Sequence, residues 1–378
     1  MEMNNLFSGV FENLTVLLTG HTGFKGSWLS IWLKEMGANV IGYSLQEPPS
    51  FPSNFEISGV NRYLIDIRGD IRDYETISQI IHKYRPALVI HFAAQTTVLP
   101  SYQQPKISFD TNVGGTINVL EAVRASGSVK ALVVCATDKV YENKEWIWGY
   151  RENDELGGFD PYSTSKAMAE LAVNSYRKSF FNDQNFPSNT GVAVGSVRAG
   201  NVIGGGDFTE YGLLADCMRA LMQGRPIMLR NPLSVRPWQY VLEPLSGYLW
   251  LAVKLLREGE PFAEAWNFGP LQHKGIVTQS VVEQIIGLWG SGEWFQEQAD
   301  LSQKDPRPHE ASYLHLNWEK AASRLNWRPV FKIEEALSDT VRWYRAYQQN
   351  QDMHEVCVNC IRDYVQRART RGLDWSLT

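Results

Sequence analysis

Tyr162 and Lys166 bound the run Tyr162-Ser163-Thr164-Ser165-Lys166, a spacing that sets a phenol and an ammonium on one face of a helix. A cation near a phenol favours the phenolate, lowering its pKa from about 10 toward working pH. The pair could then take a proton from an alcohol undergoing oxidation. A second group, Thr137-Asp138-Lys139, follows the apolar run at 130–136. Its carboxyl and amine could serve as acid and base, or form a solvated pair where a strand ends. A third group is Gly20, Gly23 and Gly26 in Thr19-Gly20-His21-Thr22-Gly23-Phe24-Lys25-Gly26. Glycines there permit a tight turn and close approach of backbone to a pyrophosphate, which the N-terminus of a following helix would attract.

Such groups need a frame that brings them together. The first half of the chain alternates short apolar or β-branched runs with helical patterns, the form of a parallel sheet covered on both faces. Strands are expected at 15–18, 39–43, 87–92, 130–136 and 192–197, and helices at 26–36, 74–84, 112–125 and 162–180. Gly37 and Gly127 stand where two of those helices should stop. Beyond Gly204 the elements shorten, interrupted by Pro226, Pro232, Pro237, Pro244, Pro261 and Pro270. The expected architecture is α/β: a Rossmann-type doubly wound parallel sheet with a smaller, mixed C-terminal substrate domain. Residues 1–203 would form the nucleotide-binding domain, joined again by parts of 235–275, and residues 204–378 the substrate domain. Residues 333–371 read as helices with scattered charge, a solvated face on that second domain.

Composition narrows the function classes. Of 378 residues, 44% are hydrophobic and 20% charged, which suits a folded chain with a sizeable core. The net charge of -5, without a dense basic stripe, argues against a nucleic-acid partner. Lys254 and Arg257 break the richest apolar stretch, so no membrane span is expected. Residues 1–15 lack the charge order of a secretory signal, and the expected compartment is the cytoplasm. Cys135, Cys217, Cys357 and Cys360 are too few and too unevenly placed for a disulfide framework. Cys357 and Cys360, with His354 before them, have a spacing that raises a redox or metal site. They lack a βαβ setting, and a helix would fan the three positions apart, so they read as helix cysteines and no metal is expected.

The spacing GxxGxxG is that of extended short-chain dehydrogenases/reductases. The combination of Gly20–Leu29 (GHTGFKGSWL), Ala136–Asn143 (ATDKVYEN), Trp148–Lys166, Arg198–Phe208 (RAGNVIGGGDF) and Arg236–Leu245 (RPWQYVLEPL) resembles the sugar-nucleotide 4,6-dehydratases of that family over residues 10–345. The resemblance implies CDP-glucose as substrate and a reaction in which C4 is oxidised, water is lost across C5 and C6, and hydride returns to C6. It implies NAD, with NADP left open because residues 40–44 end the second strand without an acidic residue. Cofactor contacts would come from Gly20, Thr22, Gly23, Phe24, Gly26, Asp70, Ile71, Ala93, Ala94, Gln95, Asn112, Tyr162 and Lys166. Catalysis would fall to Thr137, Asp138, Lys139, Tyr162 and Lys166, with Asp138 as general acid. The C5 base would be Lys139, if neutral, or else Glu142. Thr137, Asn201 and Arg236 would contact the nucleotide sugar. The resemblance lapses at Thr96-Thr97-Val98-Leu99-Pro100, beside the family's sugar pocket, which leaves base and hexose open. It also implies a homodimer pairing helices 112–125 and 162–180 of two subunits. Met168, Leu171, Ala172 and Tyr176 could serve that interface or cover the sheet. An epimerase would share Tyr162 and Lys166 but needs no acid and base for water loss, whereas a non-catalytic NAD(H)-binding regulator commonly loses Tyr or Lys.

Overall fold

The computed structural model describes residues 3–181, 191–210, 212–272, 275–297 and 313–377. The outer limits expected for the two domains, residues 1 and 378, lie outside them. Apolar runs form a seven-stranded sheet of β1 (Thr15–Thr19), β2 (Asn39–Ser44), β3 (Ile65–Arg68), β4 (Leu88–His91), β5 (Ala131–Cys135), β6 (Ala193–Ala199) and β7 (Ala265–Phe268). Its order is β7-β6-β5-β4-β1-β2-β3, and every pairing is parallel. Val16 of β1 faces Val40 on one side and Leu88 on the other. The chain therefore winds outward from β1 in both directions, and a crevice opens at the strand ends between β1 and β4. Alternate side chains feed two cores: Val16, Leu18, Leu88 and Ile90 on one face, Leu17, Ile41, Val89 and Leu132 on the other.

Local chemistry sets the helices that border the crevice. Helix α1 (Phe24–Glu35) starts at Gly23, and α2 (Tyr74–Tyr84) is capped by Asp73, which accepts from the Thr76 amide. A π-helical turn, Asp110–Gly114, leads into α3 (Gly115–Ser126), which stops at Gly127 in the left-handed conformation at φ 61°. Helix α4 (Pro161–Tyr176) has Asp160 as N-cap, accepting from the Ser163 amide at 2.9 Å, and proline in its first turn. The edge strands β3 and β7 are four residues long and were not among the strands expected from sequence. Runs that short carry too little periodicity to separate from loop.

Past Gly204 the chain makes small two-stranded pieces and then returns to the main sheet. Helix α5 (Leu242–Glu258) packs against β5 and β6, and β7 pairs with β6. At the start of α5 the buried Glu243 carboxylate accepts from the amides of Val330 and Phe331 and from the Tyr364 hydroxyl. The expectation of a solvated face at 333–371 is corrected. Helices α6 (Ile333–Gln348) and α7 (Met353–Thr370) carry a charged side, but Trp343, Tyr344, Cys357, Ile361, Tyr364 and Val365 are buried in the larger core. Helix α7 packs on α1, the first helix of the nucleotide-binding part. Among the described residues no helix is long and apolar enough to cross a membrane.

Candidate active site

The glycine series forms a turn that only small residues can make. Gly20 has φ +76°, and a Cβ there would stand 2.7 Å from the Ala93 amide nitrogen. A Cβ at Gly26 would meet the Gly20 carbonyl at 2.1 Å, so this glycine lets α1 close against the turn. Over Gly23 the nearest heavy atom is the Gly20 carbonyl at 3.4 Å, which leaves the N-terminus of α1 open. Below it runs a cavity of about 580 Å³ at the crevice between β1 and β4. Gly20, Thr22, Gly23, Phe24, Gly26, Asp70, Ile71, Ala93, Ala94, Gln95, Thr137, Tyr162 and Lys166 all line it. A helix N-terminus opening on a cavity with this lining fits a dinucleotide. At its far end Asp70 holds Arg72 through both carboxylate oxygens. Glu47, three residues beyond β2, also lines the cavity and is an acid that inspection of residues 40–44 missed.

Asn112 lies behind the cavity wall, which corrects the expectation of a direct cofactor contact. Its amide nitrogen donates to the Gln95 carbonyl at 3.0 Å and to Ser165 Oγ at 2.8 Å, while its Oδ1 accepts from the Gln95 amide at 2.8 Å. The π-helical turn thereby ties the Gln95 loop to α4.

At the other end of the cavity α4 presents Tyr162 and Lys166. Ser101 Oγ accepts from the Tyr162 amide at 3.1 Å, and Ser165 Oγ donates to the Tyr162 carbonyl at 2.7 Å. Lys166 Nζ donates to the Cys135 carbonyl at 2.7 Å. Burial pushes the Tyr162 phenol above its ordinary value, opposed by a hydrogen bond with Thr137. The same burial lowers the Lys166 ammonium, which the Lys25 charge lowers further. Desolvation thus sets the direction at the phenol in the protein itself, and the expected lowering calls on the nicotinamide charge together with the ammonium.

Thr137, Asp138 and Lys139 follow β5 in a 3-10 turn, Asp138–Val140. The Asp138 carboxyl is fully buried; Thr137 Oγ1 donates to its Oδ1 at 3.1 Å, and its Oδ2 has no protein partner. Burial raises its pKa, against the charges of Lys139 and Arg236 and the Thr137 hydrogen bond. Lys139 Nζ stands 6.0 Å from the centre of the Tyr162 ring. Glu142, the other candidate base, is exposed and does not line the cavity, and its backbone amide donates to the Glu155 carbonyl at 3.0 Å.

Lys25 also lines the cavity, a position to which the sequence reading assigned no role. Its Nζ donates to Cys135 Sγ at 3.3 Å and faces the rings of Phe92 and Tyr248. A cation in the first turn of a helix opposes the helix dipole, and that conflict was the available signal. Asp207, Thr209 and Glu210 extend the lining toward a second depression of about 590 Å³, where Arg219, Arg225 and Arg230 gather. Asn201 and Arg236 do not line the first cavity. Asn201 accepts from the Gln239 amide through its carbonyl, and Arg236 stands close enough to bear on Asp138. Cys357 and Cys360 are buried in α7, where Cys357 Sγ accepts from the Trp343 indole at 3.2 Å. Among the described residues no three His, Cys, Asp or Glu side chains gather as a metal site.

Comparison with known proteins places this geometry. Residues 17–340 match the GDP-mannose 4,6 dehydratase family. CDP-glucose 4,6-dehydratase of Salmonella typhimurium is 46% identical over 362 residues, covering 96% of this chain and 98% of that one. UDP-glucose 4-epimerase of Thermus thermophilus, solved with NAD, superposes with a TM-score of 0.71 at 26% identity, covering 88% of this chain and 99% of that one. DesIV of Streptomyces venezuelae, a dTDP-glucose 4,6-dehydratase, shares the fold at a TM-score of 0.72 and 22% identity, covering 90% of this chain and all of that one.

Proposed function

The chain belongs to the GDP-mannose 4,6 dehydratase family, and from that premise we propose that it is an NAD-dependent CDP-glucose 4,6-dehydratase, yielding CDP-4-dehydro-6-deoxyglucose and water. One observation carries the reading among related chemistries: a fully buried carboxyl, Asp138, stands beside Tyr162 with one oxygen unpartnered. Oxidation at C4 has no use for that group. Loss of water from C6 requires it.

Each group then has a task. Tyr162 takes the proton of the C4 hydroxyl, and Lys166 and Thr137 hold it in place. Once C4 is a carbonyl the C5 proton is acidic, and Lys139 is assigned to it, as base if neutral. Asp138, whose pKa burial raises, is assigned as the donor to the departing C6 oxygen. Bound NAD supplies the oxidant for C4, the reductant for C6 and the ring charge that favours the phenolate. The turn of Gly20, Thr22, Gly23, Phe24 and Gly26 would hold its pyrophosphate, Asp70 and Ile71 would stand beside its adenine, and Ala93, Ala94 and Gln95 would supply further contacts. Arg236 suits a bidentate contact with the substrate diphosphate, supported by Asn201. The depression gathering Arg219, Arg225 and Arg230 continues from the cavity through Glu210 and takes the nucleotide.

The assembly is assigned as a cytoplasmic homodimer paired through α3 and α4. Met168 and Leu171 are 43% and 54% exposed, whereas Ala169 and Val173 are buried on the opposite side of the helix. The division into a domain of residues 1–203, rejoined by parts of 235–275, and one of 204–378 completes the reading.

The test is direct. The protein is incubated with CDP-, UDP-, dTDP- and GDP-glucose, and products are identified by mass. Loss of one water from CDP-glucose, with a 4-keto-6-deoxy product that absorbs in alkali, is the expected result. A product of unchanged mass would favour an epimerase and defeat the assignment.

A further inference from the structure

Behind the catalytic face, the elements that carry the chemistry meet at one guanidinium. Arg198 on β6 is almost wholly buried, and its Nε donates to Glu170 Oε1 on α4 at 2.7 Å. Its Nη1 donates to the Tyr141 hydroxyl at 2.7 Å and to the Glu152 carbonyl at 3.1 Å. Tyr141 follows the Asp138–Val140 turn directly, and its own hydroxyl donates to Asn267 Oδ1 on β7 at 2.8 Å. The second Glu170 oxygen accepts from Ser196 Oγ at 2.8 Å. Burial raises the Glu170 carboxyl, but Arg198 and Ser196 outweigh it and hold it below its ordinary value. Glu170 and Arg198 are therefore both charged, and removing either would strand a buried charge.

Placement gives the network its meaning. Glu170 lies one helical turn beyond Lys166 on α4, on the same face. Two residues past Arg198 is Gly200, where a Cβ would come 2.9 Å from Asp138 Oδ2 and 3.2 Å from Pro237 Cγ. The β6 segment thus grips α4 through Arg198 and supplies the bare backbone on which the Asp138 carboxyl rests. Tyr141 anchors the far end of the Asp138 turn to the same guanidinium. Building on the dehydratase reading, we propose that Glu170, Arg198 and Tyr141 are positioning residues that fix the eliminating group, Asp138, relative to the oxidising pair, Tyr162 and Lys166. None of the three lines the cavity, so each acts through the turn and the helix it holds. Oxidation at C4 uses Tyr162 and Lys166 of α4, with Thr137, which precedes the Asp138–Val140 turn. Elimination needs the turn held at a set distance from α4, because one bound sugar must present C4 to Tyr162 and the C6 oxygen to Asp138.

Tyr141→Phe removes one hydroxyl and little volume, and Arg198→Lys keeps a charge for Glu170 while losing the arm that reaches Tyr141. In a single turnover with CDP-glucose, rising reduced-nicotinamide absorbance reports C4 oxidation, and its decay reports the steps through water loss. For both variants the rise should stay within about twofold of the parent, the decay should slow by about tenfold, and KM should move less than about twofold. A purely structural role would lower the melting temperature and slow both phases alike, or leave both unchanged; either result overturns the inference. Absence of any 4-keto-6-deoxy product from the parent protein would overturn the dehydratase reading itself, before any variant is compared.

Discussion

Asp138 sits in an environment that costs stability and serves chemistry. Its carboxyl is buried, its Oδ2 has no protein partner, and its pKa is raised by burial. A raised carboxyl favours the folded state when protonated, so its destabilising effect grows as pH climbs from the unfolded value through the folded one. Asp138→Asn should therefore melt about 1–3 °C higher than the parent near pH 8 while losing water elimination. Calorimetry together with a product assay checks both halves, and a lower melting temperature would remove the burial argument. Tyr162 and Lys139 divide the remaining proton transfers. Tyr162→Phe should keep cofactor binding, read by fluorescence titration, and lose turnover by roughly 100-fold or more. Lys139→Met should suppress solvent-deuterium exchange at C5 of the 4-keto sugar. Normal exchange in that variant would take the base role from Lys139 and leave the dehydratase assignment standing.

Elements decide how such residues are held. The first turn of α5 receives the chain before α6 and a side chain of α7 through one carboxylate, Glu243, whose pKa burial pushes up to about 7 despite hydrogen bonds from Phe331, Val330 and Tyr364. Below about pH 4.5 the acid is protonated in folded and unfolded chains alike and contributes no penalty. Between there and about pH 7 only the folded chain keeps the proton, so stability falls as pH rises, by roughly 3 kcal/mol in total. Above that the penalty is constant. Glu243→Gln introduces a fixed offset and no titration. The stability of the parent relative to this variant should thus decline across that window and be flat above it, measured by urea unfolding at a series of pH values. A difference that does not change with pH would show that the hydrogen bonds, and not burial, set this carboxyl.

At the scale of the whole molecule, the exposed face of α4 is one apolar feature that a single chain leaves uncovered. Met168 and Leu171 point away from the sheet, so covering the sheet no longer accounts for them. In a symmetric pair each would meet its own counterpart's surface. The parent is expected to sediment as a dimer at micromolar concentration. Replacing Met168 and Leu171 together by Glu should give a folded monomer, because the substitutions lie on solvent-facing positions. A parent that sediments as a monomer would defeat the assembly proposed.

Local pattern was enough to determine the alternation of strands and helices, the glycine turn before α1, the phenol and ammonium on one face of α4, and the carboxyl after β5. Each of these rests on residues adjacent in the chain, where spacing and side-chain type alone set the geometry. The short edge strands β3 and β7, the burial of α6 and of α7, which packs on α1, and the place of Lys25 beside Cys135 were decided only by tertiary structure. So was the retreat of Asn112 behind the Gln95 loop. The physical reason is common to all four. Pairing of an edge strand, burial of a helix side, a cation's neighbours and the direction of an amide depend on residues tens to hundreds of positions away, and no window of sequence contains both partners.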